Sequence, residues 1–83
     1  MTNKILVTVV VPMIEEKYDI YIPISKPIKI AKELIVDTIH QLSGQHFPQK
    51  KKCLLMSTTG VVFNDSQNIK ECGIKNGDKI ILI

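Results

Sequence analysis

The sequence predicts an α+β domain of order ββαββ, with one helix packed on one face of a mixed four- to five-stranded sheet. Three observations carry that prediction. Ile5, Val7, Val9 and Val11 alternate with Leu6, Thr8 and Val10, the period of a strand with one strongly apolar face. Ile28, Ala31, Leu34, Ile35, Ile39 and Leu42 recur at three- and four-residue spacing, the stripe of an amphipathic helix about four turns long. Gly73 and the pair Asn76-Gly77 then supply a sharp turn ahead of the apolar segment Lys79–Ile83, which reads as a last strand.

The first strand is expected over Lys4 to Met13 and, being apolar on both sides, belongs in the middle of a sheet. Glu15-Glu16-Lys17 is a polar interruption of hairpin length, and Tyr18–Ile22 resumes the β-prone pattern. Pro23 and Pro27 bracket Ile24-Ser25-Lys26, so the helix is expected to open there, with Ser25 or Lys26 as N-cap and Pro27 in the first turn. Lys29, Lys32, Glu33, Asp37 and Gln41 form its solvated side, and Gly44 sits where a left-handed C-terminal cap belongs. After a loop at Gln45–Gln49, Lys52–Ser57 and Val61–Phe63 are expected to form a second hairpin across Thr58-Thr59-Gly60, and Asn68–Cys72 a short helical turn.

Composition narrows the function. Eighty-three residues make a single domain, residues 1–83, with one core and little room for a catalytic pocket, since a small-molecule site usually needs about 300 Å³. No apolar run approaches the roughly 18 residues of a membrane span, and the N-terminus lacks the pattern of a signal peptide, so a cytoplasmic protein with no direct membrane insertion is expected. Cys53 and Cys72 read as buried free thiols; with His40 and His46 they lack the close Cys-x₂₋₄-Cys spacing of a zinc site. No nucleophile elbow, P-loop or paired carboxylates appear, so neither an enzyme nor a cofactor is expected.

The net charge of +3 comes from eleven lysines and no arginine. Lys26, Lys29, Lys32 and Lys50–Lys52 suggest a nucleic-acid-binding module as the alternative reading. Specific base and phosphate contacts favour the bidentate arginine fork, and single-strand readers add aromatic platforms, which Tyr18, Tyr21, Phe47 and Phe63 scarcely supply. A solvated lysine face, or one that steers an acidic protein partner, fits better.

Tyr18-Asp19-Ile20 followed by Ile22-Pro23, the helix start Pro27-Ile28-Lys29, and Cys72-Gly73-Ile74-Lys75-Asn76-Gly77-Asp78-Lys79-Ile80 together resemble the ubiquitin-like β-grasp fold. More narrowly, the chain resembles the YukD/EsaB family of bacterial ubiquitin-like proteins that accompany type VII (ESX-type) secretion systems. The resemblance implies first and last strands parallel at the sheet centre. Ubiquitin-like modifiers and sulfur carriers present Gly-Gly on a mobile tail, because the carboxylate must reach near-attack geometry. Here Leu82-Ile83 stands in a strand instead, so a non-conjugated protein is expected.

If Ile5, Val7, Val9 and Val11 face the helix, then Leu6 and Val10 face away, joined by either Ile80/Leu82 or Ile81/Ile83. One helix cannot cover both faces, and aliphatic side chains beside lysines on the far face have the composition of a docking patch. The expected function is that of an adaptor, accessory or regulatory protein of a type VII secretion system, acting by protein–protein binding. Its contacts are expected at Leu6, Val10 and Leu55, rimmed by Lys4, Lys51 and Lys79, with a cytoplasmic domain of a secretion membrane component as partner and a homodimer as a further option.

Overall fold

Residues 3–49 and 52–83 are described by the structure, a computed structural model. Strand β1 (Lys4–Val11) turns through a 3₁₀ segment at Pro12–Ile14 into β2 (Glu16–Pro23). Helix α1 (Ile28–Leu42) follows, then the short strand β3 (Leu55–Ser57) and β4 (Lys79–Leu82). The sheet order is β2-β1-β4-β3. β1 pairs antiparallel with β2 from Lys4↔Pro23 to Val11↔Glu16, and parallel with β4 through Thr8↔Lys79, Val9↔Ile80 and Val10↔Ile81. The two most apolar segments thus occupy the centre of the sheet.

Alternation sets the faces. Val7, Val9 and Val11 of β1, Ile20 and Ile22 of β2, Ile80 and Leu82 of β4 and Leu55 of β3 are buried towards the helix, which contributes Ile28, Ala31, Ile35, Val36 and Ile39. Leu34 and Leu42, expected in that stripe, are instead 42% and 58% exposed, and Val36 takes the inward position. The helix needs an apolar arc only as wide as the sheet it covers, and these two leucines fall on its flank.

β1 stops earlier than expected because Pro12 fixes φ and lacks an N–H for the ladder. The Glu15 N–H donates to the Pro12 carbonyl (3.1 Å), and Glu15 takes φ 53° to reverse the chain. At the helix start the structure corrects the expected cap. Pro27 is the N-cap residue and no side chain caps the helix. The free N–H groups of Ile28 and Lys29 donate to the carbonyls of Gln67 (2.7 Å) and Asp65 (3.2 Å), so a distant loop caps this helix. At the other end Gly44, at φ 63°, forms the expected left-handed cap, with its N–H on the Gln41 carbonyl and that of Gln45 on the His40 carbonyl.

The loop after α1 carries a core residue. Phe47 is fully buried, and its backbone is fixed by the Ser43 hydroxyl, which accepts its N–H (3.0 Å), and by His40 Nδ1, which lies 2.7 Å from its carbonyl. The second hairpin is smaller than expected. Val61–Phe63 forms no strand and contributes one bridge, Met56↔Val62, before the chain turns at Asn64. Beyond it Asn68 and Glu71 cap one turn reciprocally: the Asn68 N–H donates to Glu71 Oε1 (3.0 Å) and the Glu71 N–H to Asn68 Oδ1 (2.8 Å). The Gly73–Asp78 turn is stitched to β1, where Gly77 N–H meets the Leu6 carbonyl (2.7 Å) and Leu6 N–H meets Asn76 Oδ1 (2.8 Å).

Candidate interaction surface

The face of the sheet opposite α1 has no covering element among the described residues, and strand register places its side chains in rows. One row runs Lys17, Val10, Ile81, Met56, Val62 across all four strands and the adjoining bridge. The next runs Asp19, Thr8, Lys79, with the Thr8 hydroxyl donating to Asp19 Oδ1 at 2.7 Å. On the other side of the aliphatic row Leu54 and Ile83 exchange both backbone hydrogen bonds, 2.8 and 2.9 Å, and are 48% and 50% exposed. Val62 is 48% exposed.

The face is therefore divided. Val10 of β1 joins Ile81, Met56, Val62, Leu54 and Ile83 of the β4–β3 half, while the β2 side carries Lys17, Asp19 and Tyr21, the last paired with Leu6. A contiguous aliphatic surface next to a charged margin has the make-up of an apolar centre and polar rim, and no chemistry is needed for it to bind.

Of the residues expected at such a site, Leu6 and Val10 lie half-buried on the open face, and Lys4 and Lys79 are exposed on β1 and β4. Leu55 must be corrected: it is 1% exposed and packs in the core, because its partner Leu82 faces the helix. Lys51 lies outside the described residues. Sequence reasoning left open which half of the last strand faces outward; register settles it as Ile81 and Ile83. It missed Leu54, Met56 and Val62. The buried Cys53, two residues from Leu55, was the available signal, since residues i and i+2 share a face.

The lysine side of the molecule has another character. A groove of about 580 Å³ is lined by Lys29, Lys32, Glu33, Val36, Asp37, Gln49, Cys53 and Asp65. Lys32 Nζ is paired with Asp65 Oδ1 at 2.8 Å, and Gln49 Nε2 with Asp37 Oδ1 at 3.3 Å. Three carboxylates beside two lysines do not make a track for phosphates.

Among the described residues no group of three or more His, Cys, Asp and Glu is placed to hold a metal ion, and no helix is long and apolar enough to cross a membrane. Cys53 is buried; Cys72 is half-buried, with its Sγ 3.7 Å from Gln67 Oε1. Burial pushes the Cys72 thiol above its ordinary range and the Glu71 carboxylate adds to this, against a backbone hydrogen bond at Asn64 that lowers it. Such a thiol stays protonated near neutrality and is a weak nucleophile.

No protein-family model matches the chain, and no curated protein matches it. Solved structures do. The ubiquitin-like domain of the Mycobacterium tuberculosis type VII secretion system protein EccD1 superposes with a TM-score of 0.78 at 11% identity, covering 99% of each chain. The EccD5 ubiquitin-like domain from Mycobacterium xenopi gives 0.74 at 13% identity, over 99% of this chain and 94% of that one. A chain of a MycP5-free ESX-5 inner membrane complex gives 0.81 at 11% identity over 99% of this chain, which spans only 21% of that chain's length. At these identities the likeness concerns architecture: one helix on a mixed four-stranded sheet, the ubiquitin-like β-grasp fold.

Proposed function

We propose that this chain is a non-conjugated ubiquitin-like adaptor of a type VII secretion system, of the YukD/EsaB kind, that docks by its open sheet face onto a cytoplasmic domain of a secretion membrane component. The observation that carries the reading is the aliphatic half-face opposite the helix, where Leu54, Val62 and Ile83 are exposed beside the half-buried Val10, Ile81 and Met56, with charged residues at its margin. Its resemblance in fold to ubiquitin-like domains of type VII secretion proteins supports the choice of partner. Binding is non-covalent in this reading.

Titration of the folded protein against a detergent-solubilised type VII membrane complex tests it, with Leu54→Asp, Val62→Asp as the comparison. Both positions are about half exposed, so the double variant is expected to fold while its affinity drops at least about tenfold, the effect of placing two charges in an apolar contact. Equal binding by both proteins sinks the assignment of this face. Absence of binding by the unmodified protein sinks the assignment of the partner. Steep loss of binding to a nucleic-acid duplex between low and moderate salt would point to the lysines instead.

A further inference from the structure

Among the described residues the outer edge of β2 is unpaired, and its neighbourhood fits a second copy of the same chain. β2 ends the sheet order. The Ile24 N–H donates to the Asn3 carbonyl (2.8 Å), and the β1 register makes the even-numbered residues of β2 those that bond inward. The N–H and C=O groups of Lys17, Asp19 and Tyr21 therefore point away from the sheet.

Two features beside this edge need a partner. The first is charge. Lys17 and Asp19 lie on one face, two residues apart, and the carboxylate of Asp19 is held by the Thr8 hydroxyl. A lone lysine discourages edge pairing, but this pair favours one register. When two β2 strands run antiparallel about a two-fold axis at Tyr18, Lys17 of each copy stands opposite Asp19 of the other, in hydrogen-bonded pairs that use the free backbone groups of both residues. A shift of two residues, with the axis at Asp19, sets the two Asp19 carboxylates against each other.

The second is apolar. One flank of α1, with Lys29, Lys32 and Val36, faces Gln49, Cys53 and Asp65 across the groove. The other, with the exposed Leu34 and Leu42, lies on the β2 side, where Leu42 borders the same recess as Tyr18 and Glu16. In the joined sheet both helices lie on the same face, and these two flanks confront each other across the axis. A single isologous contact would then cover the free edge, the charge pair and the leucines that the core leaves out.

We propose that the chain self-associates through antiparallel β2–β2 pairing centred on Tyr18, with reciprocal Lys17–Asp19 contacts and apposed helix flanks. The proposal stands apart from the adaptor reading and leaves the aliphatic half of the open face free.

Sedimentation equilibrium of the full chain up to about 1 mM tests it, with Lys17→Glu and Asp19→Lys checked for folding by circular dichroism. The unmodified protein is expected to dimerise. Each single variant is expected to weaken dimerisation about tenfold or more, because each sets two like-charged pairs in contact. An equimolar mixture of the two variants is expected to recover a heterodimer. There the introduced glutamate of one chain meets the introduced lysine of the other, while the unaltered Asp19 and Lys17 meet as before. In the unmodified protein, exchange protection of the Lys17 and Asp19 amides is expected to rise with concentration, a readout independent of any variant. A monomer at every concentration overturns the proposal, as does a dimer indifferent to both charge reversals or a mixture that stays monomeric.

Discussion

The two faces of one sheet are made of similar residues and have different surroundings. Towards the helix, Val7, Val9, Val11, Leu55, Ile80 and Leu82 are buried almost completely. On the other side the intervening Leu6, Val10, Met56 and Ile81 are half-buried, and Leu54 and Ile83 more exposed still. Folding accounts for the first set, since burying an aliphatic side chain contributes about 1.5–3 kcal/mol. It does not account for the second, which gains part of that only when another surface is laid upon it. The difference is an operational one: substitutions on the helix side act on stability, and substitutions on the open side act on binding.

The largest effect expected on the helix side is at Phe47. Truncation to alanine removes a fully buried ring from a small core and is expected to cost about 3–5 kcal/mol, read as the fall in the urea unfolding midpoint. Gly77→Ala is next. An added methyl group meets nothing within 4 Å, so backbone strain at φ 88° sets the cost, about 1–2 kcal/mol in the same measurement. Asn68→Ala removes half of the reciprocal cap with Glu71 and is expected to cost about 1 kcal/mol. A result below about 0.3 kcal/mol would show that this turn does not contribute to the core beneath it.

The first strand, the helix and the last turn were legible in the sequence because each has a strong local cause: alternation in Ile5–Val11, three- and four-residue spacing in α1, and glycines at positions of positive φ. The sheet order followed from the resemblance, not from the residues. β3 was the weak point. Leu54 and Leu55 are adjacent and equally apolar, so the only local sign of which one points inward is the phase of Cys53, and pairing of Leu55 with Leu82 decides it. Only tertiary structure shows that Phe47 plugs the core from a loop or that Asp65 and Gln67 cap the helix, as both contacts join segments far apart in sequence. The candidate surface was half legible for the same reason: Leu6 and Val10 share a strand with a clear phase, whereas Met56, Val62 and Ile81 meet only through register.

The smallest expected effect depends on pH. Because burial raises the Cys72 thiol above its ordinary value of 9.0, the folded state keeps that proton longer than the unfolded one. Its contribution is complete below that value and fades as pH rises through the folded pKa. Unfolding midpoints taken on either side of pH 9.0 are expected to fall less on the alkaline side for Cys72→Ala than for the unmodified protein. Equal slopes would mean that the thiol titrates alike in both states.

The division between the faces is tested most directly by hydrogen exchange of the unmodified protein with and without the solubilised type VII membrane complex. New protection is expected around residues 54–56, at residue 62 and at residues 81–83, with α1 unchanged. Protection confined to α1 and its lysines, with the open face exchanging as before, would contradict the account.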